Sequence, residues 1–150
     1  MTAPVGAVPG LAHRFTIRAY VDPYRPIGRS GSSELVYIPI TGGTVSGPDL
    51  QGEVLDGGGD WATFHDDGTV DVEARYQIRT DDGHVVDVLN TGIAHPHPDD
   101  PAETGYFATR PVFRVGEDGP RELERRVYLG WARSTDDWTE IDIFEVLDPQ

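Results

Sequence analysis

Residues 69–80 read TVDVEARYQIRT. Every second residue is apolar: Val70, Val72, Ala74, Tyr76 and Ile78 share one face. Asp71, Glu73, Arg75, Gln77 and Arg79 share the other. Alternation over that length is the signature of a strand with one buried face. Asp82-Gly83 follows as a hairpin turn, since both residue types tolerate positive φ. The partner strand is 84–91 (HVVDVLNT). An antiparallel hairpin of this length sets the expectation for the rest of the chain.

Outward from it, strand-like stretches recur at 14–20, 34–40, 49–55 and 60–65, then at 104–109, 111–115, 126–134 and 139–147. Eighteen glycines and twelve prolines punctuate them. No segment keeps a helical apolar period beyond about two turns, and only 119–125 (GPRELER) reads as a helical piece. The reading is a single all-β domain: an antiparallel barrel of about eight strands, closure being favoured because it removes exposed edges. A sandwich shares the same pattern. Residues 1–13 read as a loose arm, 14–147 as the barrel and 148–150 as a tail.

Composition narrows the function. The 150 residues bury roughly 70% of the unfolded surface, enough for a core without staples. With no cysteine there is no disulfide, thiolate metal site or thiol nucleophile. Twenty-six acids face twelve basic residues, all arginine, for a formal charge of −14. Such a field repels phosphate backbones and anionic lipid, so neither nucleic acid nor membrane is an expected partner. No apolar run is long enough for a membrane helix, and no export signal is visible, so a cytoplasmic address is expected.

Several clusters carry possible chemistry. Glu73 and Arg75 share a strand face. If the apolar face is covered from outside, they line a pocket where the Arg fork grips a carboxylate or enolate. If the apolar face fills the barrel, they form a surface ion pair. Thr41–Thr44 and Gly57–Gly59 are glycine-rich, but without lysine or a following helix they are not phosphate loops. Asp60-Trp61 sets a carboxylate beside an indole, with Glu53 on the preceding strand. Two acids at one rim would raise each other's pKa and suit acid–base work. The alternative is Trp61 in the core and Asp60 at a turn. His95-Pro96-His97 with Asp99 and Asp100 has metal-ligand types, but each His precedes a proline and no second motif follows, so a plain loop is expected. Tyr106 with Arg110 offers a proton donor beside an anion holder; the alternative is a hairpin whose arginines pair with surface acids. No nucleophile elbow or nucleotide fingerprint is present.

IPITGGTVSGPDLQGEVLDGGGDW (38–61), EARYQIRTDDG (73–83), Asn90-Thr91-Gly92, YFATRPVF (106–113) and VYLGWA (127–132) together resemble the bacterial and fungal domain of unknown function 3237 family, also called uncharacterised protein family 0311. The resemblance spans roughly residues 14–147. It implies a small β-barrel similar to allene oxide cyclase and lipocalin-like barrels, and an acid and an arginine at positions 73 and 75. Family members usually carry Asn in an L-N-R segment where this chain has Leu123-Glu124-Arg125, which puts a shared substrate in question.

The expected function is a cofactor-free, metal-free enzyme of the cyclase, isomerase or dehydratase type, working on a small organic molecule in a small homo-oligomer. Asp60, Glu73, Arg75 and Tyr106 are the candidate catalytic groups; Glu53, Trp61, Asn90 and Arg110 are the candidate substrate contacts. The alternatives are a lipocalin-like carrier and an interaction protein with a filled lumen.

Overall fold

The computed structural model describes residues 2–150. In chain order the elements are β1 (Gly10–Val21), β2 (Arg25–Ser30), β3 (Ser33–Ser46), β4 (Gly52–Val54), β5 (Gly58–His65), β6 (Val70–Thr80), β7 (Val85–Pro96), β8 (Thr104–Val115), α1 (Glu122–Arg125), β9 (Tyr128–Ser134) and β10 (Trp138–Leu147). All pairings are antiparallel, and β1 bonds both β10 and β3, closing the sheet. β4 and β5 share one stave between β3 and β6, so the closed barrel has eight staves. β2 stands outside the ring as a flap on the first part of β3. Among the described residues, no helix is long and apolar enough to cross a membrane.

The β6–β7 hairpin forms as its alternation predicts, with Arg79 opposite Val85. Its loop is three residues, 81–83. Gly83 alone takes positive φ, at 92°, and its N–H donates to the Thr80 carbonyl. Asp82 keeps negative φ and its carboxylate accepts the Thr80 hydroxyl instead. The turn is thus the three-residue type with glycine in the left-handed position rather than a two-residue turn.

Ala74, Tyr76 and Ile78 point inward and are buried, while Glu73, Arg75, Gln77 and Arg79 are exposed. The apolar face of β6 therefore fills the barrel; nothing covers it from outside. Inward residues of every stave converge the same way. Phe15, Ile17, Ile78, Val86, Val88, Phe113 and Ile143 pack one half of the interior solid. Phe113 sits between Phe15 and Tyr128, with ring centroids 5.8 and 5.4 Å away. The other half is a cavity of about 810 Å³, bounded by the ends of β1, β5, β6, β7 and β10.

Several boundaries differ from the sequence reading: the strand expected over 34–40 runs on to Ser46, and the one expected over 49–55 shortens to Gly52–Val54. Residues 10–13, expected in a loose arm, pair with 144–147 as the start of β1. Residues 104–115 form one strand, not two, because Pro111 sits where β8 has left β9; that ladder has only the rungs Ala108–Trp131 and Thr109–Gly130, so no N–H is missed there. β7 runs on to Pro96, taking His95 out of its expected loop.

Candidate functional site

The cavity is built by register. Asp60 on β5 lies opposite Ala74 on β6, and Ala74 lies opposite Asn90 on β7. All three face inward. The small Ala74 leaves a gap flanked by a carboxylate on one side and an amide on the other. One step deeper on β6 is Tyr76, whose hydroxyl is fully buried. Its ring fits against the wall because residue 58 is glycine: a Cβ there would come within 2.5 Å of the Tyr76 Cβ.

A second row holds one polar side chain. Thr109 on β8 pairs with Gly92 on β7 and Gly130 on β9. A Cβ at Gly130 would lie 2.1 Å from the Thr109 Oγ1. The two glycines therefore leave no side chain at the positions directly beside Thr109. Tyr76, Asn90 and Thr109 all line the cavity, each about 3% exposed. The Tyr76 hydroxyl, the Asn90 Oδ1 and the Thr109 Oγ1 have no hydrogen-bond partner among the described residues. Buried polar atoms are normally paired, so three orphans in residues lining one cavity mark it as the candidate site.

Asp60 is the ionisable member. Its Oδ1 accepts the Glu73 backbone N–H at 3.0 Å. The β5–β6 ladder is interrupted at that point, between the Asp60–Ala74 and Thr63–Asp71 rungs, and the carboxylate takes the donor. Burial raises the Asp60 pKa to about 6; the Glu73 N–H bond opposes the rise and the nearby Glu73 charge adds to it. Burial also raises the Tyr76 pKa, and the charge of Asp60 adds to that. A carboxyl group that titrates near neutrality inside an apolar cavity is suited to taking and returning a proton.

Of the sequence-predicted residues, Asp60 and Asn90 line the cavity and the others do not. Arg75 is exposed on the barrel wall, 3.5 Å from Asp87. Glu73 is exposed beside it and reaches the site only through its backbone and its charge. Glu53 meets Arg79 at 3.4 Å, both in solvent. Trp61 alternates outward from Asp60 and packs tilted against Tyr37, ring centroids 5.1 Å apart. Tyr106 is also outside, edge-on to Trp131 at 5.2 Å and near His95. Arg110 is exposed on the same wall. Two neighbours on an alternating strand cannot both face one pocket, which separates Asp60 from Trp61. The reading of Asp60 as a turn residue is likewise not what the structure shows.

Tyr76 and Thr109 are the cavity groups that sequence reading missed. Tyr76 was read as an apolar member of its face. Thr109 carries one visible signal, a hydroxyl among buried phenylalanines on an alternating strand. The histidine loop is closed on itself: the Asp99 N–H donates to His97 Nδ1, and the His97 N–H to the Glu103 carbonyl. Among the described residues no three His, Cys, Asp or Glu side chains are grouped to hold a metal ion. Glu124 lies on α1 paired with Arg121, outside the cavity.

Residues 9–146 match the family described as protein of unknown function (DUF3237), and the chain belongs to it. A UPF0311 protein of Rhodopseudomonas palustris is 34% identical over 144 residues, covering 89% of this chain and 94% of its own. A solved structure of a conserved protein of unknown function from the same species is similar at TM-score 0.87 and 31% identity, over 93% of this chain and 99% of that one. A β-barrel-like protein of Acinetobacter baumannii shares the fold at TM-score 0.82 and 23% identity, over 97% and 98%. So does a chain described as an enzyme from Penicillium herquei, at 0.74 and 19%, over 97% and 99%. At those identities the last two speak to fold alone.

Proposed function

We propose that the chain is an enzyme that moves a proton on a small organic molecule held in the half-open barrel, as an isomerase, cyclase or dehydratase does, without a cofactor. The observation that carries this reading is Asp60: a carboxyl group with a pKa near 6, lining a cavity that also holds the unpartnered oxygens of Tyr76, Asn90 and Thr109. Asp60 is the general base and then the acid. It takes a proton from a carbon or hydroxyl of the substrate, the electron pair moves onto a substrate oxygen, and the same carboxyl returns the proton at a second position. The arginines first expected to hold that oxygen lie outside. Its donors in this reading are the Tyr76 and Thr109 hydroxyls and the Asn90 amide.

Glu73 acts from outside, through the backbone N–H that orients Asp60. Carriage without turnover is the second reading, favoured by the apolar lining from Ile40, Ala62, Val72 and Phe107. The address in this proposal is the cytoplasm, with no nucleic-acid or membrane partner. A second copy of the chain would cover the exposed Tyr106, Val112 and Trp131; sedimentation tests that.

The deciding experiment incubates wild type and Asp60→Asn with a small-molecule extract and follows both by mass spectrometry. Wild type should deplete one compound and yield an isomer, or a product lighter by one water. Asp60→Asn should retain the substrate unchanged and turn it over about 10²–10⁴ times more slowly. Recovery from wild type of unchanged ligand alone means carriage.

A further inference from the structure

The charges around the cavity are one-sided. Its lining contains the carboxylates of Asp22, Asp60, Glu103 and Asp136. None of the twelve arginines is there; the single basic group is His95, at the mouth. Nine arginines pair with carboxylates elsewhere, and Arg25 lies over the Tyr37 ring on the barrel exterior. An anionic ligand would therefore enter a negative mouth and meet Asp60 with no cation to receive it.

The unpartnered polar atoms point the same way. Asn90 Oδ1 is an acceptor with nothing donating to it, in a residue 3% exposed. Asp60 adds a carboxylate, and the Tyr76 and Thr109 oxygens accept as readily as they donate. A primary ammonium has three N–H donors and no acceptor, which matches a set of oxygens. Tyr76 and Phe107 around it, and the Tyr24–Phe64 edge pair at the mouth, offer ring faces and apolar surface.

We propose that the cavity takes a protonated amine carried on an apolar body, with the ammonium held between Asp60 and Asn90. The inference rests on the cavity's being the working site and names the class of its substrate.

The test is calorimetric titration of the intact chain with three probes of one shape: phenylbutylamine, phenylbutanol and phenylbutyrate. The amine should bind roughly tenfold tighter than the alcohol, the difference expected of a charge-assisted hydrogen bond, and the carboxylate should give no heat. Asp60→Asn should bring the amine down to the alcohol's affinity and leave the alcohol within about threefold, since the amide keeps the shape and an acceptor. Glu53→Gln, changed on the outer wall beside Arg79, should keep the amine preference. Alcohol binding as tight as amine, binding of the carboxylate, no binding of any probe, or an amine preference that survives Asp60→Asn each overturns the inference. Preference for the alcohol with conversion intact in the extract assay would leave the proposed proton transfer standing. Amine preference with no conversion would do the reverse.

Discussion

Asp60 couples function to stability with a definite sign. Its folded pKa, about 6, lies above the ordinary value of 3.8. Below pH 3.8 the group is protonated in both folded and unfolded chains and costs nothing. As pH rises through 6 it ionises in the cavity, and stability is lost. The loss amounts to at most about 3 kcal/mol, from 1.36 kcal/mol per pKa unit. Asp60→Asn keeps the acceptor for the Glu73 N–H and removes the buried charge. Its melting temperature should therefore exceed wild type at pH 8 and match it near pH 3.5, as read by thermal melts at both. A lower melting temperature at pH 8 would mean that the carboxylate stabilises the fold. In the proposed reaction the same titration sets the rate: with Asp60 as base, kcat/KM rises with pH through about 6 to a plateau. A rate that falls through that range would make it the acid of the first step.

At the scale of elements, the site exists because small residues stand beside polar ones across neighbouring strands. Gly130→Ala tests this. The new Cβ would meet the Thr109 Oγ1 at 2.1 Å and the Ile141 Cγ2 at 2.8 Å, so one strand must give way. We expect a loss of about 1–3 kcal/mol in denaturant unfolding. Thr109→Ala in the same chain should recover part of it, because the nearer contact disappears while Ile141 remains. Additive losses would show that Thr109 is not the obstacle. These elements also mark what a sequence can disclose. Alternation gave β6 its faces and therefore placed Ala74, Tyr76 and Ile78 together. It could not say which face was the lumen, and Glu73 and Arg75 hung on that choice. Residues 25–30 (RPIGRS) carry no alternation at all, and β2 forms only because β3 runs past the barrel and offers an edge. Asp60 was legible as a carboxylate in an apolar strand. The row Asp60–Ala74–Asn90 was not, since rows depend on the register of three strands, and register is a tertiary fact.

Charge sets the behaviour of the whole molecule. The paired acids Asp66-Asp67, Asp81-Asp82, Asp99-Asp100 and Asp136-Asp137 all fall in connections between strands. Asp67 and Asp82 serve their turns there: hydrogen bonds from Thr69 and Thr80, respectively, hold their pKa values down. On the outer face of β1, β9 and β10, Arg18 and Arg133 bracket Glu140, and Arg133 also reaches Asp142 at 3.0 Å. Partial burial raises both acids, but the arginine bonds outweigh it and lower them. Their contribution is present above the ordinary carboxylate range and fades as pH falls through their lowered values. Two trends therefore oppose. Acidification costs the surface network, while alkalinisation ionises Asp60 and brings the chain toward its full −14. Stability should peak below neutrality, because the loss from Asp60 builds between pH 3.8 and about 6 and self-repulsion keeps stability down above that range. Added salt separates the two. About 0.5 M sodium chloride screens the long-range repulsion but barely reaches a charge inside the barrel. It should raise the melting temperature at pH 8 more than at pH 5, and Asp60→Asn should add its own gain on top of the salt effect. If salt lowers the melting temperature at pH 8, the arginine networks outweigh the acid excess, and the fold is held by its surface pairs more than it is strained by its net charge.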